Sequence, residues 1–203
     1  TGMDEAALQA VIDRKVPIAP ALTFQANMVD YGERIGTAPE LVALFEREII
    51  DSVESMTAAY RAGVPLLTGS ESGFSLVPYG DWHYRELEVF VRYFGLTPLQ
   101  AIRCATLEGA RALRMEERLG ALEPGMLADL IVVKGAVEQD VTILGNPDNI
   151  RRVMIGGVWQ DLSPLPPRRP IPGWRLAAMG NTLSRDVALG GRSEDPPAPE
   201  ELH

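Results

Sequence analysis

An α/β fold with parallel strands is the architecture this sequence predicts, and three observations carry it. Two short apolar runs, Val16-Pro17-Ile18-Ala19-Pro20 and Val64-Pro65-Leu66-Leu67-Thr68, are bounded by proline or glycine and read as buried strands. Each is followed by a segment of helical period, which gives the strand–helix–strand–helix order of a parallel barrel's βα repeat. After Met115 the helical period gives way to short β-rich runs. The chain is therefore expected to change architecture there.

Each element has its own signal. Asp4 can cap a helix through about Arg14, with Ala7, Leu8, Val11 and Ile12 at core-facing spacing. Residues 22 to 36 have no clear period and read as a loop or an irregular helix. Thr37-x-x-Glu40 is a capping-box pattern with Pro39 in the first turn. A long helix should follow to Ala62, its stripe made of Leu41, Leu44, Phe45, Ile49, Val53, Met56 and Tyr60. Gly63 is a natural residue to end it. Past the second strand, Gly69 to Gly80 reads as loop. Trp82 to Phe94 reads as helix, with Leu87, Phe90, Val91 and Phe94 inward. Thr97-Pro98-x-Gln100 is a strong helix start, combining a cap, a proline at the first position and a glutamine reaching back. Thr106 is expected to cap a further helix to Met115. Ala128–Lys134 and Arg151–Asp161 read as strands, the second folded at Gly156-Gly157 as a hairpin or bulge.

Composition narrows the function. With 203 residues, 46% hydrophobic and 23% charged, the chain is built to bury a core. A net charge of −9 speaks against nucleic acid or an anionic membrane as partner, since both call for a basic surface. A single cysteine, Cys104, excludes an internal disulfide, and its apolar helical setting makes it a packing residue. No signal peptide or membrane-length apolar run stands out, so a cytoplasmic location is expected.

The run Ala62-Gly-Val-Pro-Leu-Leu-Thr-Gly-Ser-Glu71 ends an apolar strand on a carboxylate. Downstream come Thr97-Pro98-Leu99-Gln100-Ala101-Ile102, Ala105-Thr106, and the stretch from Leu119-Gly120-Ala121-Leu122-Glu123-Pro124-Gly125 through Asp129-Leu130-Ile131-Val132-Val133. In order and spacing this resembles the C-terminal end of amidohydrolase-superfamily enzymes, in their imidazolonepropionase and prolidase-like branch. The resemblance runs from about Met3 to Leu162 and is most specific between Leu119 and Val133.

It implies a fold and a domain plan. Residues 1–115 would be the C-terminal portion of a TIM-type (β/α)8 barrel, and residues 116–162 strands of a small β-sandwich. Residues 163–203 hold eight of the sixteen prolines and are expected to form an extended or disordered tail. The implied activity is hydrolysis of a carbon–nitrogen bond, in a non-peptide or dipeptide amide, through metal-activated water. The implied cofactor is a divalent metal, zinc by preference, and the substrate a small amide or cyclic amide. Because a helix begins directly after Thr1, a metal-binding histidine of the family would lie just before the chain. The sequence is then expected to need a missing N-terminal half. The alternative is a catalytically inactive fragment or subunit.

Within that resemblance Glu71 takes the place of the aspartate that ligates metal and moves the proton after the last barrel strand. It is one methylene longer than the family residue. Phe74, Tyr79, Trp82 and His83 are candidates for lining the substrate pocket, the aromatics as stacking surfaces. His83 and Glu86, three apart on one helix, could share an ion. Only one other histidine exists, His203, so this chain alone is expected to retain no metal. Gly69-Ser70-Glu71-Ser72-Gly73 echoes a serine-hydrolase elbow, but its centre is glutamate. Two strands cut from a barrel would leave Ile18, Val64 and Leu66 facing water, so aggregation or a homo-oligomer is expected.

Overall fold

The structure is a computed structural model that describes residues 3–73, 76–163 and 188–190. Phe74, His203 and the proline-rich tail, apart from Ser163 and residues 188–190, lie outside the described residues.

Helix α1, Glu5–Arg14, begins as Asp4 dictates: its carboxylate accepts from the Ala7 amide at 2.7 Å. The next segment meets the second apolar run side by side. Ile18 and Leu66 form a parallel bridge, the Ile18 amide donating to the Pro65 carbonyl at 3.0 Å and the Leu67 amide to Ile18 at 2.8 Å. The pairing stops there for a covalent reason. Pro17, Pro20 and Pro65 have no amide hydrogen and cannot extend a ladder.

Between the two runs lie α2, Thr23–Tyr31, a short 3-10 turn over Gly32–Ile35, and α3, Pro39–Arg61. Residues 23–31, which lack a clear sequence period, form regular helix because Glu86 caps its start from another helix. The cap of α3 also differs from expectation. Ala38, held extended ahead of Pro39, is the N-cap and makes no side-chain cap bond, so Thr37 lies one residue too early. The other end behaves as Gly63 predicts. Gly63, at φ 83°, lets its own amide reach Tyr60 and the Val64 amide reach Ala59, closing the last turn of α3. Leu41 and Leu44 begin the expected stripe but stand exposed. The buried face starts at Ile49 and runs through Ser52, Ser55, Met56 and Ala59. Both serines bond carbonyls of their own helix, which makes their burial tolerable.

Helix α4 spans Arg85–Arg92, α5 Pro98–Ala105 and α6 Leu107–Ala112. Both halves of the capping box at Thr97 and Gln100 form. Thr106 does not cap α6; its hydroxyl donates back to the Ile102 carbonyl instead. Cys104 is buried in the core, and burial first, Glu108 second, push its thiol up to about 11. No helix among the described residues is long and apolar enough to cross a membrane.

One core cluster joins Leu22, Ala26, Ile49, Leu66, Phe90, Ala101 and Cys104; a second gathers Met28, Leu76, Val77, Trp82 and Ala188. Leu66 is 0% exposed and Val64 1%. The expectation that these two face water is therefore corrected. Side chains alternate along a strand, and this pair points toward the helices, leaving Pro65 and Leu67 on the opposite face.

The β-rich end is a three-stranded antiparallel sheet, β1 (Leu130–Val133), β2 (Ile150–Ile155) and β3 (Val158–Trp159). Leu130 pairs with Met154, and Ile155 with Val158 across Gly156-Gly157, whose positive φ angles suit a two-residue hairpin. Among the described residues it is a single layer, so the sandwich expectation stops at one sheet.

Candidate functional site

The two parallel runs end side by side. A methyl group on Gly69 would lie 3.5 Å from the Ala19 side chain and 3.7 Å from that of Ala21, so the turn after the first run packs against the start of the Glu71 loop. Glu71 is exposed and sits at φ 49°, a left-handed conformation uncommon for a residue with a Cβ. Its neighbours on both sides are tied together. The Ser70 and Ser72 hydroxyls are 2.8 Å apart, and each lies 3.3 Å from Nδ1 of His83. On the far side of the ring, Nε2 accepts from the Gly80 amide at 3.3 Å. That acceptor role places the ring proton on Nδ1, where it is donated to the serines. An imidazole in this tautomer orders the loop and cannot take a proton from either serine, which agrees with reading Gly69–Gly73 as no nucleophile elbow.

Tyr79 is exposed on the same loop, and a Cβ at Gly73 would fall 2.4 Å from its hydroxyl, so the tyrosine folds across Gly73. Trp82 is 0% exposed and packs against Tyr31, with ring centroids 5.5 Å apart, and Tyr84, at 6.2 Å. It lies in the second core cluster and not on the rim. Next to His83 an open cleft of about 690 Å3 runs between Tyr84 and Arg151.

Glu86 and His83 are not brought together. Helix α4 starts only at Arg85, so His83 precedes it, and Glu86 turns into the interior at 0% exposure. There its two oxygens accept from the Leu22 amide at 3.1 Å and the Thr23 hydroxyl at 2.8 Å. Leu22 is the N-cap of α2 and has no cap of its own, so Glu86 supplies it from another helix. Burial pushes its carboxyl up to about 7, against the pull of Thr23 and Leu22. Arg85 does the converse at the other end of α2. It donates to the Ala26 carbonyl, pairs with Asp30 and Glu88, and lies 5.5 Å from the Tyr31 ring. Glu86 therefore serves the first turn as a hydrogen-bond acceptor, and the Arg85 cation toward the last turn complements the helix dipole. Burial opposes a charge on Arg85, but Glu88 and Asp30 hold it protonated. Burial would likewise raise Asp30, yet its bonds to Arg92 and Arg85 leave its carboxyl below the usual range.

This clamp is what the sequence reading missed, and the signal was present. Glu86 falls four residues before Phe90, on the apolar stripe of its own helix. A charge in that position needs a buried partner.

Comparison with known proteins places the chain. The model of the amidohydrolase family matches residues 13–159. The chain belongs to the amidohydrolase family. A curated imidazolonepropionase of Aeromonas hydrophila subsp. hydrophila is 31% identical over 102 residues, which are 50% of this chain and 25% of that protein. Adenine deaminase 4 of Rhizobium meliloti is 44% identical over 39 residues, 19% of this chain and 6% of the relative. Among solved structures, a Xaa-Pro dipeptidase with bound methionine in its active site superposes at TM-score 0.61 with 28% identity, covering 78% of this chain and 38% of that one. A putative prolidase from Bifidobacterium longum, at TM-score 0.66 and 23% identity, supports the fold; it covers 83% of this chain and 42% of its own. The chain thus spans a quarter of the imidazolonepropionase and about two fifths of the dipeptidase. These neighbours make the fold part of a TIM-barrel type.

The family uses divalent metals, so the donor set has to be tested. Among the described residues no three His, Cys, Asp or Glu side chains come together. Glu86 is spent on α2, and His83 on Ser70, Ser72 and Gly80. The described residues alone do not fit a catalytic metal centre.

Proposed function

We propose that this chain forms part of a hydrolase that cleaves a carbon–nitrogen bond in a small amide or cyclic amide by metal-activated water. Family membership supports the reaction class. The named activities of its relatives, imidazolonepropionase and Xaa-Pro dipeptidase, support cyclic amides and dipeptide amides as the substrate classes to try first. The observation that carries the chain's own role is position: Glu71 stands exposed at the end of the second parallel run, against the turn that ends the first. Active-site groups of barrel enzymes sit at that end of their strands.

An exposed carboxylate there can accept a proton from the attacking water and return it to the leaving nitrogen. Any metal would draw its further ligands from polypeptide beyond the described residues, with zinc the first ion to test. Tyr79, which folds across Gly73, and His83, which meets Ser70 and Ser72, are proposed to shape the substrate pocket; Phe74 is proposed to do the same, and Trp82 to support it from beneath. No observation favours the alternative of an inactive fragment.

The test is amine release by the protein expressed from its full reading frame, against a panel of cyclic ureas, N-acyl amino acids and proline dipeptides. Glu71→Gln should lower kcat on whichever substrate responds by about 10^2- to 10^4-fold, the range for a lost proton-transfer group. Its melting temperature should stay within a degree of wild type, since the carboxylate is exposed. Unchanged turnover in Glu71→Gln would remove Glu71 from the reaction.

A further inference from the structure

Glu86 reaches the candidate site without touching it. Its carboxylate accepts from Leu22 and Thr23, and the residue before them, Ala21, is held at φ 54°. A left-handed alanine is strained, and it persists only where its surroundings fix it. Here Glu86 fixes the amide immediately after it. Ala21 and Ala19 in turn pack on the position of Gly69, two residues before Glu71. The contacts form one unbroken path from a buried glutamate, through the turn that ends the first parallel run, to the base of the loop that ends the second.

We propose that Glu86 is a positioning residue for the hydrolytic site: by capping α2 it sets the Ala19–Thr23 turn, and that turn sets where the Glu71 loop begins. This rests on the proposed role of Glu71. The cap is a suitable lever because both oxygens are engaged at once. A single neutral replacement preserves one of the two bonds, and an apolar one removes both. A shift of about an ångström in a reacting carboxylate is enough to slow a reaction a hundredfold, while binding contacts made elsewhere are spared.

The experiment compares wild type, Glu86→Gln, Glu86→Leu and Thr23→Val in the complete protein, reading kcat and KM on the responding amide together with amide hydrogen exchange. Glu86→Leu should lower kcat at least tenfold with KM within threefold, and speed exchange at Leu22 and Thr23 at least tenfold while the middle of α3 is unaffected. Glu86→Gln should recover most of both. Thr23→Val, which keeps Glu86 and is the milder change should Glu86→Leu not fold, should move kcat and local exchange in the same direction by a smaller factor. The proposal is overturned if Thr23→Val and Glu86→Gln match wild type in both readouts while Glu86→Leu loosens the whole molecule evenly. It is also overturned if exchange rises at Leu22 and kcat does not fall. Should wild type cleave no amide, the proposed activity fails, and exchange at Leu22, Thr23 and the Gly69–Ser72 amides still decides whether Glu86 controls the loop.

Discussion

Two glutamates stand near the ends of the two parallel runs, and they are held in opposite ways. Glu86 is sealed in the interior, each oxygen bonded at 2.8–3.1 Å, its carboxyl raised to about 7. Glu71 is exposed, on a left-handed backbone, and the serines on either side of it meet His83 at 3.3 Å. A raised pKa is often taken as a mark of an active site. Here the raised value belongs to the residue that builds a helix. The acid proposed for chemistry is the exposed one. Burial and exposure are divided between two side chains of the same type fifteen positions apart.

The comparison breaks most visibly at Arg85, the partner of Glu86 in the clamp. Arg85→Met leaves Asp30 with Arg92 alone and removes the cation packed against Tyr31. Removing one member of a buried pair typically costs about 3–5 kcal/mol. Since Asp30 keeps one partner, the lower end of that range is expected. A urea titration measures it. A loss under about 1 kcal/mol would mean that the clamp contributes little, and that α2 is held by its apolar face alone.

The next largest effect is in pH. Glu86 binds its proton more tightly folded, at about 7, than unfolded, near 4.5. Its contribution to stability is therefore fully present below about 4.5 and is lost as pH rises to 7, because the native state holds a proton the unfolded state has released. At 1.36 kcal/mol per pKa unit the loss is on the order of 3 kcal/mol. Asp30, lowered, acts oppositely and in another window: its stabilisation is present above about 4 and fades as pH falls below that. Midpoints of urea unfolding from pH 4.5 to 7.5, wild type minus Glu86→Gln, isolate the Glu86 contribution. A difference that does not change over this interval would show that Glu86 ionises freely.

These effects mark where sequence reading worked and where it stopped. Local signals were legible: Asp4, the Thr97–Gln100 box, Gly63 and the Gly156-Gly157 hairpin each act within a few residues and appear as expected. Family resemblance also came through, because Leu119–Val133 and the strand ending at Glu71 are contiguous in the chain. What failed was non-local. Regular helix over 23–31 was hidden because its N-terminus is capped by a residue 63 positions away. The parity of Val64 and Leu66 depended on which layer they would meet, and the strand itself reads the same either way. The pairing of His83 with Glu86 assumed a helix that begins two residues later than His83. Among the described residues no three metal-ligating side chains come together, so there was no such cluster to read.

The smallest effect sharpens the comparison from the side of Glu71. Ser70→Ala with Ser72→Ala removes both hydroxyls that join the loop to His83. Long hydrogen bonds around an exposed ring compete with water, so the pair should cost under about 1 kcal/mol in all. Thr23→Val, by contrast, strips one bond from a buried carboxylate and should cost about 1–3 kcal/mol, since the oxygen left behind has no water to turn to. The double variant should nevertheless speed exchange at the Gly80 amide, because His83 has then lost what orients it. Equal costs for the two changes would contradict the division drawn here, since a loop held as firmly as a helix cap would be part of the same rigid core as Glu86. If Gly80 exchange rises while the melting point holds, the histidine orders its loop at almost no cost to the fold.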